Sequence, residues 1–304
     1  MIKKQSIVYL LILIQIISSL SIPIIQADNN IPSWNKEWSY REEINIPIDT
    51  SENSAKFQPI DISFEFKNPC WAKTEEEHSV RICCWDGNKW HELESQIYDL
   101  EKTDGSLQIK KCGIVFLIPD FSDGNERYFV YYDENRKESP NYKDHIQIED
   151  SYYYFEPITG VKAEGDYYKI TEDGYCVFGV GQKGKVIHRR LSQTVVKLKP
   201  KTKNFDILNS DNIASFCFSY HKGPEFKDEI SSDEELVAKQ IITDGNLMVE
   251  FKIISQSKEK NLRSSNVYKY YYCPTEDKRL NVHVKHEVFE DDYVDGVVNV
   301  DGRY

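Results

Sequence analysis

The sequence predicts an all-β protein, a small antiparallel sandwich followed by a larger antiparallel β-sandwich. Three observations carry this. Apolar and polar residues alternate with a period of two over many short runs, the pattern of half-buried strands. Clusters of Gly, Asp and Asn separate the runs as turns. The chain holds 20 Tyr, 14 Phe and 5 Trp against 2 Met, which favours strands over helix bundles. Neither an internal repeat nor a βαβ alternation is present, which argues against a doubly wound fold.

The elements follow in order. Lys3 and Lys4 precede an apolar run from Ile7 to Ile25, and Gln26-Ala27 then meets Asp28-Asn29-Asn30. This reads as a signal peptide over 1–27, cut after Ala27, and hence as a secreted or cell-surface product. An uncleaved signal anchor is the alternative, because the apolar run is nearly long enough to span a bilayer. Residues 34–134 predict an immunoglobulin-like β-sandwich of roughly seven short strands. Tyr40 to Ile46, Ile60 to Phe66, Val80 to Trp85 and Tyr128 to Tyr132 are its clearest runs, and Asp86-Gly87-Asn88 reads as a hairpin turn. A polar linker follows within 135–150, where Asp133 to Asp144 has no apolar periodicity.

Residues 151–304 predict the larger sandwich. Its strands are read at 167–170, 175–180, 185–190, 193–198, 213–220, 247–254, 267–272 and 280–289. Gly179 to Gly184 reads as a hairpin turn, and Asp244-Gly245-Asn246 as another. Ser232 to Ile242 is the one credible helix, with Ser232 as cap and Glu235 completing a capping box. Its apolar pairs would also serve a strand. At the end, Val297 to Val300 looks like a strand starting, either a final edge or the front part of a longer reading frame.

Charge and cysteines narrow the function classes. The net charge is −12, which argues against nucleic acid as a partner. Seven cysteines lie beyond the leader, and an exported chain permits disulfides. One or two bridges are expected among Cys70, Cys83, Cys84 and Cys112, with buried thiols among the rest. No metal or other cofactor is expected. There is no CxxC, HExxH or phosphate-binding glycine loop. His283 and His286, three apart in a strand, face opposite ways. The acidic group around Glu287, Asp291 and Asp292 reads as a solvated charge run.

Two patterns could carry chemistry. Lys185, His188 and Arg190 form a basic segment beside aromatic strands. An arginine can neutralise a sugar carboxylate while a histidine or tyrosine moves the adjacent proton. His188, Tyr268 and Tyr270 are the candidate acid or base, and Arg190 the candidate clamp. An ordinary wet strand edge is the simpler account of the segment. Tyr268, Tyr270 and Tyr272 would line one face of a strand, a surface on which sugar rings stack. With Lys185 they form the candidate substrate-binding set. Rim packing explains the same tyrosines.

Trp38-Ser39-Tyr40-Arg41, Gln58-Pro59-Ile60-Asp61 and Glu94-Ser95-Gln96-Ile97-Tyr98 resemble the leading strands of pectin-lyase-type relatives. The layout is similar to secreted carbohydrate-active proteins in which an immunoglobulin-like domain precedes a galactose-mutarotase-like or polysaccharide-lyase-type sandwich. That resemblance implies a polysaccharide or cell-surface glycan as partner. For an enzyme it implies β-elimination on an acidic sugar or epimerisation at a hexose C1. The alternative is a non-enzymatic structural or adhesion protein that contacts other surface proteins.

Overall fold

The computed structural model describes residues 31–158, 161–185, 193–198, 210–215, 235–257 and 260–289. The chain divides at Lys36, and every sheet belongs to the unit Glu37–Tyr304. The leader at 1–27, His188, Arg190, Cys217 and the strand-like end at Val297 to Val300 lie outside the described residues. No helix among the described residues is long and apolar enough to cross a membrane.

The protein is all-β, built from antiparallel sheets in sandwich-like pairs. Seven strands make the first pair: β1 (Tyr40–Ile44), β2 (Pro59–Trp71), β3 (Val80–Trp85), β4 (Trp90–Leu93), β5 (Ser95–Lys102), β6 (Gln108–Leu117) and β7 (Arg127–Tyr132). They form one sheet in the order β1-β7-β3-β4 and another in the order β2-β6-β5. Alternation sends Val80, Ile82 and Cys84 inward from one sheet to meet Ile60, Ile97, Ile114 and Phe116 of the other. The outer face of β7 is covered too. Trp90 packs on Phe129 and Tyr131, and Arg41 and Arg127 lie over the Phe129 ring. The turn after β3 is set by Asp86, whose Oδ1 accepts the N–H groups of Asn88 and Lys89.

Residues 133–145 carry no strand, yet they are strapped to the first sandwich. Buried Asp133 accepts from the N–H and Oγ of Ser39, and Lys137 N–H donates to Ser79 Oγ.

Among the described residues the second pair has nine strands: β8 (Ile146–Ile158), β9 (Val161–Glu172), β10 (Tyr175–Lys185), β11 (Thr194–Leu198), β12 (Ser210–Ser215), β13 (Glu235–Asp244), β14 (Met248–Gln256), β15 (Leu262–Tyr271) and β16 (Leu280–Val288). The sheet orders are β12-β11-β10-β9-β8 and β13-β14-β15-β16. Ile148, Tyr168, Ile170, Phe178 and Val180 face Val249, Phe251, Ile253, Tyr268 and Tyr270 across the core. Phe251 and Tyr268 stack at 5.0 Å and 9°.

Three expectations are corrected here. The segment read as a helix is β13 from Glu235 onward. It pairs with β14 through two register shifts, because tertiary pairing outweighs a capping signal on a segment whose apolar pairs suit either structure. The glycines of 179–184 do not turn the chain. They run through β10, with a register shift between Gly181 and Lys183. No disulfide is present among the described cysteines: Cys70, Cys83, Cys84, Cys112, Cys176 and Cys273 are free thiols. All but Cys273 are buried as small apolar side chains, and consecutive strand residues such as Cys83 and Cys84 point to opposite faces. Burial pushes the Cys84 thiol up to about 12 and holds Cys70, Cys83 and Cys112 higher still.

The two sandwiches meet through a defined seam. Gln96 of β5 reaches across to the start of β14. Its Oε1 accepts the N–H groups of Leu247 (2.9 Å) and Met248 (2.8 Å), and its Nε2 donates to the Met248 carbonyl (3.1 Å). The amide thus substitutes for a neighbouring strand. Gly245 permits this approach, since a Cβ there would fall 2.2 Å from Gln96 Cδ.

Candidate binding groove

A groove of about 560 Å³ lies between the segment Asn53 to Pro59 and the stretch Tyr271 to Asn281. The first wall begins with a 3₁₀ turn, Asn53–Ala55. It then passes through Phe57, whose φ is 62°. A bulky side chain in the left-handed region is strained by about 1–3 kcal/mol and persists only where its surroundings over-determine it. Here they do: Phe57 N–H donates to the Ile118 carbonyl (2.9 Å), and Ile118 N–H donates back to Gln58 (3.0 Å).

The second wall is aromatic, and both its rings are fixed. Tyr271 donates its hydroxyl to Asp61. Asp61 also accepts from Tyr98 (2.6 Å) and pairs with Lys269 (3.2 Å), which continues to Glu250 (2.9 Å). Tyr98 reaches Asp61 because its ring lies over Gly113, where a Cβ would sit 2.2 Å from it. Tyr272 stacks on His145 at 4.0 Å and 16°. His145 is itself held between Glu94 (2.8 Å) and Asp173 (3.3 Å). Gln58, Arg279 and Asn281 add polar groups to the groove, and Arg279 is paired with Asp277.

The electrostatics suit binding more than proton transfer. Burial, and then the Asp61 carboxylate, hold Tyr98 and Tyr271 well above the ordinary phenol range. Burial and then Asp173, Glu172 and Glu94 push Tyr272 up to about 12. Such phenols stay neutral and donate hydrogen bonds; a base needs the opposite shift. For Lys269, burial works against the charge, but Glu250 and Asp61 prevail and keep it protonated.

The structure disperses most of the residues singled out from sequence. Tyr268, Tyr270 and Tyr272 do share one side of β15 and its continuation, but that side faces the core. Tyr268 and Tyr270 are 0% exposed, so neither offers a ring face to a sugar or a hydroxyl to a substrate. The expectation of an open tyrosine platform is corrected at these two positions, because the five-stranded sheet covers them. Tyr268 donates to Gln193 Oε1 (3.0 Å), and Tyr270 donates to Glu172, which is paired with Lys278. Tyr272, half-buried at the end of the strand, does line the groove. Lys185 ends β10 opposite Glu164, in a different sheet from Tyr268. His283 and His286 lie in β16, opposite Val267 and Ser264, and no group of three metal-ligating side chains occurs among the described residues. Glu250, which faces Lys269 from β14, is paired with it.

Asp61, Phe57, Tyr98, Tyr271, His145 and Arg279 were not legible as a group. The only local signal was the alternation that puts Tyr271 on the face opposite Tyr270 and Tyr272. No family model, curated protein or solved structure matches the chain.

Proposed function

We propose that this chain is an exported glycan-binding protein and that the groove beside Tyr271 and Tyr272 takes a short segment of polysaccharide. The observation that carries the reading is a groove of about 560 Å³, within the roughly 300–1,000 Å³ range of small-ligand sites, with two immobilised tyrosines on one wall. Rings fixed by Asp61 and by His145 lose little freedom on binding, which favours affinity. Gln58, Arg279 and Asn281 supply the donors and acceptors that sugar hydroxyls require. With neutral phenols, binding without turnover is the better account than β-elimination. Export follows from the leader reading at 1–27.

A glycan array probed with the full chain, followed by titration calorimetry on the best glycan, tests this. Tyr272→Ala should weaken binding about tenfold or more, and Arg279→Ala should weaken it selectively for acidic glycans. Absence of any glycan signal, or binding indifferent to both substitutions, would remove the reading. One feature favours a surface-scaffold role instead. The outer strands β13 and β16 leave Val237, Ile242, Val288 and Phe289 exposed, and apolar side chains along a sheet edge suit contact with another protein.

A further inference from the structure

Four strands lie at the sheet edges of the second sandwich among the described residues: β8, β12, β13 and β16. The first three each meet their neighbour through at least one register shift. Such irregularities bend and twist an edge, which makes it a poor template for a further strand. In β16 there is none. Its nine residues pair with β15 in unbroken register, and among the described residues no other strand pairs with them.

The side chains of β16 continue the core and then run out of cover. Leu280, Val282, Val284, His286 and Val288 share one face, opposite Tyr270, Tyr268, Asn266, Ser264 and Leu262 of β15. Leu280 and Val282 pack on the core, whereas Val284 is 38% and Val288 64% exposed. Phe289, next in the chain, is exposed too and carries Arg263 over its ring. The opposite face of the strand bears Lys285 and Glu287, which pair with each other at 2.9 Å. A regular edge with exposed valines is a template for strand addition, and its charges select the strand that fits.

We propose that β16 pairs with β16 of a second copy of this chain, antiparallel and centred on His286. In that register Lys285 of each copy stands opposite Glu287 of the other, and the two ion pairs become a ring of four alternating charges. Val284 of each copy stands opposite Val288 of the other, and Phe289 opposite His283, so the exposed apolar side chains cover one another. Centring the pair on Lys285 or on Glu287 sets like charges face to face, and centring it on Val284 sets His283 against Lys285. Unlike charges directly opposed stabilise a sheet and like charges destabilise it. The pairing joins two four-stranded sheets into one continuous sheet with closed two-fold symmetry. It does not rest on the groove reading, because none of the residues 283–289 lines the groove.

The test is light scattering and sedimentation of the full chain over a concentration series, in which the wild type should pass reversibly from one chain to two. Lys285→Glu alone and Glu287→Lys alone should each weaken dimerisation at least tenfold, about 1.4 kcal/mol, and added salt should narrow the loss. Mixing these two variants should restore association, since every introduced charge then meets its opposite on the other copy. Lys285→Glu combined with Glu287→Lys in one chain should dimerise within about threefold of the wild type, a rescue that the registers centred on Lys285 or Glu287 do not allow. Tyr272→Ala should leave dimerisation unchanged, which separates this edge from the groove. Amide hydrogen exchange needs no substitution: the amides of 283–289 should exchange more slowly as the wild-type concentration rises. A wild type that stays a single chain at every concentration, exchange that ignores concentration, or a dimer indifferent to the charge reversals would overturn the proposal. Failure of both the mixture and the double variant to associate would do the same.

Discussion

Replacing Gln96 with alanine tests whether the seam is one cooperative structure with the sandwiches it joins. Gln96 is 5% exposed and spends its whole amide on β14. The substitution removes the acceptor of two buried N–H groups, at Leu247 and Met248. The Met248 carbonyl keeps the Gly245 N–H at 3.2 Å. Each orphaned donor costs about 1–3 kcal/mol, so the expected loss is about 2–6 kcal/mol. The assay is urea unfolding followed by two probes. All five tryptophans lie between residues 34 and 90, so their fluorescence reports the first sandwich, while far-ultraviolet dichroism reports both. In Gln96→Ala the two curves should separate, because the second sandwich no longer holds the first. Gly245→Ala should be severe in the wild type, where its Cβ meets the Gln96 side chain. It should be mild in the Gln96→Ala background, a coupling above about 1 kcal/mol. A loss below about 1 kcal/mol for Gln96→Ala, or additive behaviour of the pair, would refute the reasoning.

Tyr268→Phe should cost about 0.5–1.5 kcal/mol, from the lost hydrogen bond to Gln193, and leave glycan affinity unchanged; weakened binding in calorimetry would contradict its placement in the core. At Phe57, asparagine tolerates the left-handed conformation and valine does not. Thermal melts should therefore rank Phe57→Asn above Phe57→Val despite the lost apolar surface, and the reverse order would show that the strain is not real. Burial acts to raise the Asp133 carboxyl, but hydrogen bonds from Asn135 and Ser39 and the contact with Lys137 hold it below its ordinary value. Its contribution to stability is therefore present above the unfolded-state value and lost as pH falls through the folded one. Asp133→Asn should flatten the decline in melting temperature below about pH 4, and an unchanged acid limb would exclude that role.

How much of this was readable beforehand follows from the range of the physics involved. Side-chain alternation is local, so the strands β3, β7, β14 and β15 and the turn at Asp86-Gly87-Asn88 could be read from neighbouring residues alone. The same alternation placed Tyr268, Tyr270 and Tyr272 on one side. Which side faced water depended on the sheet packed against it, and that sheet comes from residues about a hundred positions away. Segment 235–244 satisfied a local helix cap and a strand pattern equally, and pairing with β14 decided between them. Cysteine spacing said that bridges were possible, but only the directions of the side chains within the folded strands kept the thiols apart.

The groove was beyond sequence for the same reason. It joins segments from both sandwiches that share no periodicity, and its two walls do not exist until those segments meet. The sequence by itself determined an antiparallel all-β chain with a small sandwich before a larger one, because strand alternation and turn chemistry act between near neighbours. Tertiary structure alone decided which rings are sealed and where a groove opens, because burial and electrostatics are set by whatever the fold brings close.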